Sequence, residues 1–190
     1  MNLFVLSESS VEAANALCNK HVIKMCSETA NMLLWPFKNM GIELPYSKLG
    51  RPLRLSHQNH PATKWTCESE ENYKWSRTHF ITMLRSYKDR YGRRHYAENY
   101  AEFISRNEHL LAFLNSKQTP FARCFGKFEE QLQSIEDTVS AYRQYYILDK
   151  VNFARWPSEE SIPDWWQFEK SEFLDSSFVD GVYSKKRLTS

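Results

Sequence analysis

The sequence predicts a mostly α fold, a single-domain bundle of about four main helices with a short extended N-terminal segment and a long basic loop. Three observations predict it. Apolar residues recur at helical spacing over two long stretches, residues 9–37 and 62–91. Aromatic residues fill 15% of the positions while glycine occurs only five times, so rings close the gaps between elements and tight turns are scarce. A chain of 190 residues is also long enough for one core without disulfide or metal staples.

Residues 2–6 read as extended, because β-branched and aromatic side chains alternate there. Residues 9–37 then read as one long helix. Ser9 followed by Glu12 has the form of a capping box, and Pro36 is expected to end the pattern. Ala14, Cys18, Val22, Met25, Thr29, Met32 and Leu33 fall within one arc of the helical wheel and form the core face. His21 and Glu28 lie together at one edge of that arc, two turns apart, with Lys24 and Asn31 just outside them. One reading is that His21, Lys24 and Glu28 solvate the helix margin and pair with one another. The other is that Glu28 is a carboxylate held in a fixed direction for chemistry. The N-terminus is expected to tuck near His21 or Glu28, or near the far end of their face.

Residues 41–61 contain Gly41, Pro45, Gly50, Pro52 and Pro61 and have no period, which marks a long loop. The loop carries Lys48, Arg51, Arg54, His57 and His60, a set able to grip phosphates. Pro61 suits the first position of a helix, and Asn59 or His60 can cap it. Two histidines three apart also suggest a metal, but no acidic or cysteine partner with suitable spacing follows, so no metal is expected.

Residues 62–91 read as a second long helix. Trp65, Asn72, Trp75, His79 and Met83 trace one seam, widened by Phe80, Leu84 and Tyr87. Asn72 and His79 need partners there, since buried polar groups are normally satisfied. Lys74, Arg77, Arg85, Lys88 and Arg90 occupy the other face, and Gly92 breaks the helix. A third helix is predicted over 97–114 and a loop over 119–128. A fourth is predicted over 134–153, where Asp137 completes a capping box with Ser134. Residues 155–166 read as a proline-bounded linker with a tryptophan anchor. The helical domain is expected to span 1–166, and 167–190 to form an acidic, partly packed extension with a frayed end.

The four cysteines form no CxxC pair, which suits reduced residues of a cytosolic protein. No basic region precedes the first apolar run and no stretch reaches the length of a membrane span, so a soluble, unexported, cytoplasmic protein without membrane contact is expected. The net charge of +2 conceals an asymmetry. Residues 48–94 hold eleven Lys and Arg against four acidic residues, and 129–180 hold twelve acidic residues against four basic ones. The basic middle points to a nucleic acid, unless the two halves neutralise each other across the fold.

No dinucleotide fingerprint, P-loop, zinc-deaminase signature or nucleophile elbow is present, and no cofactor is expected. What remains is a carboxylate and a histidine on the first helix, an Asn-His-Pro turn and a basic surface rich in rings. These parts suit chemistry on a nucleic-acid base. Arg51, Arg54, Arg77 or Arg85 would hold phosphates, a base would be drawn from the stack, and Glu28 would act at the sugar or base. His21 would orient or protonate, while His57, His60 and Asn72 would contact substrate or phosphate. Glycosidic cleavage passes through an oxocarbenium-like state, which a nearby carboxylate stabilises.

His21 followed seven residues later by Glu28, after a short N-terminal segment, resembles the first helix of the phage endonuclease V family of pyrimidine-dimer DNA glycosylases. The turn Asn59, His60, Pro61 is similar to a His-Pro turn in bacterial relatives. The segments KHVIKM, TPFA and AYRQYY, with the His-Pro turn, also look like those of small phage-borne proteins of unassigned function. The endonuclease V likeness covers about a third of the chain. It implies an all-helical DNA-kinking domain in which a glutamate supports attack on the sugar by the chain's own N-terminal amine. For a phage-borne protein the location would be the host cytoplasm. The chain departs from that pattern in three places. Position 2 is Asn2 rather than a small residue, so Met1 is expected to stay. Ser27 and Asn31 stand near Glu28 where the family has phosphate-gripping arginines, and the chain is longer on its acidic C-terminal side. The leading expectation is glycosylase-type action on a modified or damaged pyrimidine in DNA. A transferase that attaches a small group to a pyrimidine of viral DNA, and a non-catalytic DNA-binding or host-takeover protein, are the alternatives.

Overall fold

The computed structural model describes residues 1–167, which are mostly helical and contain no strand among the described residues. The bundle has more pieces than four helices. Its elements are α1 (Ser10–Asn15), α2 (Asn19–Asn39), α3 (Pro61–Glu68), α4 (Glu70–Tyr91), α5 (Glu98–Asn107), α6 (Glu129–Leu132) and α7 (Thr138–Lys150). The helix α2 packs on α3 and α4, α1 also packs on α4, and α5 closes against α2.

The expected first helix, 9–37, is two helices. Ser9 caps α1 by accepting from the Glu12 N–H, but the Glu12 carboxylate accepts from the Ser7 hydroxyl at 2.7 Å, so the box is only half built. At Cys18 the chain becomes extended, because partners from elsewhere take the backbone groups there. The Ala16 carbonyl accepts from Trp156 Nε1 at 3.1 Å, the Leu17 carbonyl from Arg90 at 2.9 Å, and the Asn19 N–H donates to the Arg155 carbonyl at 2.8 Å. Tertiary bonds outcompete local propensity at this point. Pro36 does not end α2. It lies buried within the last turns, and the stop comes at Gly41, whose φ of +74° allows a Schellman closure. There the Ile42 N–H reaches the Phe37 carbonyl at 3.0 Å and the Gly41 N–H reaches Lys38 at 3.1 Å.

The expected helix over 62–91 breaks at Ser69, which is extended and caps α4 through its hydroxyl. The 115–119 segment fills the break: the Glu70 N–H donates to the Asn115 carbonyl at 2.9 Å, and the Asn72 side chain bridges the Trp65 carbonyl and Thr119. The seam on α4 is buried as expected, and Gly92 ends the helix in the left-handed region. The third helix is shorter than 97–114, becoming a 3-10 turn at Glu108–Leu110 that leaves Leu110 exposed. The fourth starts later than Ser134, because Asp137 itself is the cap, accepting from the Ser140 N–H at 2.7 Å. Residues 41–60 are a loop with one isolated bridge, Tyr46 to Pro52.

Residues 2–6 pair with no strand among the described residues. Leu3, Phe4, Val5 and Leu6 are instead driven into the core, where Phe4 stacks on His21 at 4.5 Å and meets Tyr146 edge-on at 5.2 Å. The Arg143 guanidinium holds the Leu6 carbonyl at 3.1 Å and Trp75 Nε1 donates to the Glu8 carbonyl. The start of the chain is therefore fixed against α2, α4 and α7. In the tryptophan anchor, Trp156 packs on Trp166 at 4.9 Å. All four cysteines are free thiols. No helix among the described residues is long and apolar enough to cross a membrane. The expected acidic extension lies outside the described residues from position 168 onward.

Candidate functional site

Helix α2 presents two ionisable groups on one edge, as the wheel predicts, and the packing gives them different surroundings. His21 is buried in an aromatic core between Phe4, Tyr146 and Phe153. The Cys18 N–H donates to the Tyr146 hydroxyl at 3.0 Å, and that hydroxyl shares a hydrogen bond with His21 Nδ1 at 2.7 Å. His21 Nδ1 is thereby committed to Tyr146, whichever partner supplies the proton. Burial, reinforced by the charge of Lys150, pushes its pKa down to about 3.

Glu28 stands two turns further along, with its side chain 18% exposed. Its Oε2 accepts from the Asn2 N–H at 3.1 Å and lies 3.6 Å from the Met1 nitrogen, while Oε1 meets Lys24 Nζ at 3.2 Å. Asn2 holds this arrangement in place. Its side-chain amide donates to the Cys124 carbonyl at 2.8 Å and accepts from the Leu3 N–H at 2.7 Å, turning its own N–H toward Glu28. The Thr63 hydroxyl donates to Met1 Sδ at 3.3 Å, so α3 closes the other side.

His60 completes the cluster. It caps α3 by accepting from the Ala62 N–H on Nδ1 at 3.2 Å, which leaves Nε2 as its N–H. Its pKa is lowered by burial first, then by the charges of the Met1 amine and His57, with Glu28 opposing. The ring is therefore close enough to feel both members of the Glu28 pair. His57 is exposed, bonds Ser56 through Nδ1 at 2.8 Å and has φ of +60°, a rare conformation for a residue with a Cβ.

Other sequence-predicted residues are placed elsewhere. Asn72 is a structural clamp, fully buried with its amide bonded to Trp65 and Thr119. Arg77 is committed to an ion pair with Glu108 at 2.7 Å. Several basic residues of the middle segment are also occupied: Lys74 by Glu70 and Glu71, Arg90 by the Leu17 carbonyl and Asn19, Arg94 by Glu98 and Glu102. Arg51 and Arg54 are exposed on the loop, with no ion pair among the described residues.

A cleft of about 500 Å³ opens between α2 and α3, beside this cluster. Trp35, Asn39, Gln58, Asn59, Thr63 and Lys64 line it. Thr63 belongs to both, so the Glu28 pair and the cleft share a wall. Cys67 also reaches the cleft; burial pushes its thiol up to about 12, so it carries no charge there and is no nucleophile near neutral pH. A second hollow of about 250 Å³, between the end of α2 and Tyr46, gathers none of the predicted site residues. No cluster of three or more histidine, cysteine or acidic side chains able to hold a metal occurs among the described residues.

Met1, Asn2, Thr63 and Trp35 are members of this site that sequence reasoning did not single out. The only signal for the first two was the expected tuck of the N-terminus. Trp35 stands seven residues after Glu28, on the same face of α2. Compared with protein-family models, curated proteins and solved structures, the chain matches none.

Proposed function

We propose that the chain is a DNA-acting enzyme of glycosylase type, working on a modified or damaged pyrimidine, with Glu28 as its catalytic carboxylate. The observation that carries this reading is the grip on Glu28: a half-buried carboxylate oriented by the Asn2 N–H, flanked by the Met1 amine and Lys24, beside an open cleft. In such a reaction the C1′–N bond breaks, its electron pair leaves with the base, and positive charge builds on the sugar. A carboxylate fixed before the substrate arrives stabilises that charge without reorganising.

His60 offers its Nε2–H as a hydrogen bond to the departing base, which then takes a proton from solvent. Water adds at C1′ and passes a proton to Glu28. The Met1 amine, 3.6 Å from the carboxylate, is the competing nucleophile. Arg51, Arg54 and Lys64, exposed around the loop and the start of α3, supply contacts to phosphate. His21 stays out of this set, because its Nδ1 is occupied and it is enclosed by rings.

Nucleoside mass spectrometry after incubation with undamaged, ultraviolet-irradiated and hydroxymethylpyrimidine-containing duplexes tests the proposal, with Glu28→Gln as control. Release of a free base from one substrate, lost in Glu28→Gln, is the expected result. A heavier nucleoside would replace the proposal with a base-modifying transferase. Unaltered duplexes that remain bound would replace it with a non-catalytic DNA-binding protein. Borohydride trapping of a covalent adduct would assign the attack to the Met1 amine, and no adduct would assign it to water.

A further inference from the structure

We propose that the cleft between α2 and α3 is a binding site for an unpaired nucleobase, with Trp35 as the stacking surface and the side-chain amides of Asn39, Gln58 and Asn59 reading the base's edge. The proposal rests on the DNA-acting function above and names the part of the substrate this face takes.

The size comes first. A space of about 500 Å³ falls in the range of small-molecule sites, and it is bordered by an indole and three amides instead of an apolar wall. Trp35 is half-buried, and its Nε1 donates to the Ser56 carbonyl at 3.1 Å, so the ring plane is held by the loop itself. A fixed indole is a stacking platform for any base, since every base has a π face. The Asn39, Gln58 and Asn59 side chains are exposed and make no hydrogen bond among the described residues. An amide carries a donor and an acceptor side by side, the complement of a nucleobase's hydrogen-bonding edge.

Loop geometry brings the amides in. His57, with φ of +60°, turns the chain one residue before Gln58, and the His60 N–H closes that turn on the His57 carbonyl at 3.1 Å. The wall beside Lys64 is mixed: the Cys67 thiol is uncharged, and the exposed Glu68 carboxylate accepts from the Thr119 hydroxyl at 3.0 Å. Lys64 stands at the rim, exposed, where a phosphate would pass. Trp35 and Glu28 lie two turns apart on one face of α2, about 10 Å along the axis. A nucleotide with its base on Trp35 therefore lies along the face of α2 that carries Glu28.

The test compares binding of two fluorescein-labelled duplexes that differ at one central position. One is fully paired, and the other has a pyrimidine opposite an abasic-site analogue. The wild-type protein is expected to prefer the second. Trp35→Ala should lose about tenfold on the unpaired duplex and stay within about twofold on the paired one, while Trp35→Phe keeps most of the preference. The Gln58→Ala, Asn59→Ala double variant, at exposed positions with no packing to lose, should also lose the preference, with circular dichroism unchanged. Equal wild-type affinity for both duplexes, or equal losses on both in Trp35→Ala and in the double variant, would overturn the cleft proposal; continued base release from damaged DNA would show that the glycosylase reading survives it. Binding to neither duplex, with no base release, would overturn both.

Discussion

His21 and Glu28 share one edge of one helix, two turns apart, and their surroundings differ in what they enclose and what they leave open. His21 is enclosed by the rings of Phe4, Tyr146 and Phe153, with the Lys150 charge nearby, and its Nδ1 is consumed by Tyr146. At Glu28 the neighbours are nitrogens from the start of the chain, and the next wall opens into a cleft. A helical wheel reports angle but not depth. The difference comes from Phe4 and α7, whose rings cover His21, whereas Met1 and Asn2 meet Glu28 on a side that stays partly open. An ionisable group enclosed by a core serves its packing, and one that keeps a solvent-facing side is available for chemistry.

The contrast can be broken or sharpened by experiment, and the largest effect is expected from acid. His21 and His79 both titrate near 3 in the folded protein, His79 through burial alone, against 6.5 when unfolded. Both are therefore neutral in the native state down to low pH, while the unfolded chain takes up protons below 6.5. Their share of stability is intact above pH 6.5 and drains away as pH falls toward 3, by about 2 kcal/mol for each histidine at pH 5. Thermal melts between pH 7 and 4 should show this slope. His79 has no hydrogen-bond partner for either ring nitrogen among the described residues, so His79→Phe, which keeps the stack on Trp75, should flatten the slope by about one proton and cost little at pH 7.

Tyr146→Phe comes next. It leaves His21 Nδ1 and the Cys18 N–H unpaired in the core, and urea unfolding should report a loss of about 3 kcal/mol. Glu28→Gln, by contrast, keeps an acceptor for the Asn2 N–H and should change stability by less than about 1 kcal/mol in the same assay. The smallest effect is expected on the loop. Arg51→Ala or Arg54→Ala should weaken DNA binding only a few-fold and lower the salt slope by roughly one per residue, read from affinity across a salt titration.

Much of the fold was legible because it rests on period and caps. The α4 seam, the His60–Pro61 helix start and the Gly92 stop follow from local rules. The breaks at Cys18 and Ser69 were not legible, since Arg90, Arg155, Trp156 and Asn115 supply the bonds that make them, and all four are distant in sequence. Asn72 was expected to need a partner, but its clamp on Thr119 was not legible for the same reason. A polar residue on an apolar seam looks alike whether its partner is a substrate or Thr119. The Glu28 edge was visible on the wheel, yet the groups gathered around it come from residues 1, 2, 60 and 63, which no local pattern connects. The basic middle overstated the free positive surface, because Arg77, Arg90 and Arg94 are occupied within the fold.

The measurement that bears most directly on the division of labour along α2 is single-turnover base release at equal concentrations of folded protein, for the wild type, Glu28→Gln and Tyr146→Phe. Glu28→Gln should fall by about 100- to 1,000-fold, the loss typical of removing one electrostatic group from a transition state, while Tyr146→Phe should keep its rate per folded molecule. Undiminished release by Glu28→Gln, or a comparable collapse in Tyr146→Phe, would contradict the assignment of chemistry to Glu28 and of architecture to His21.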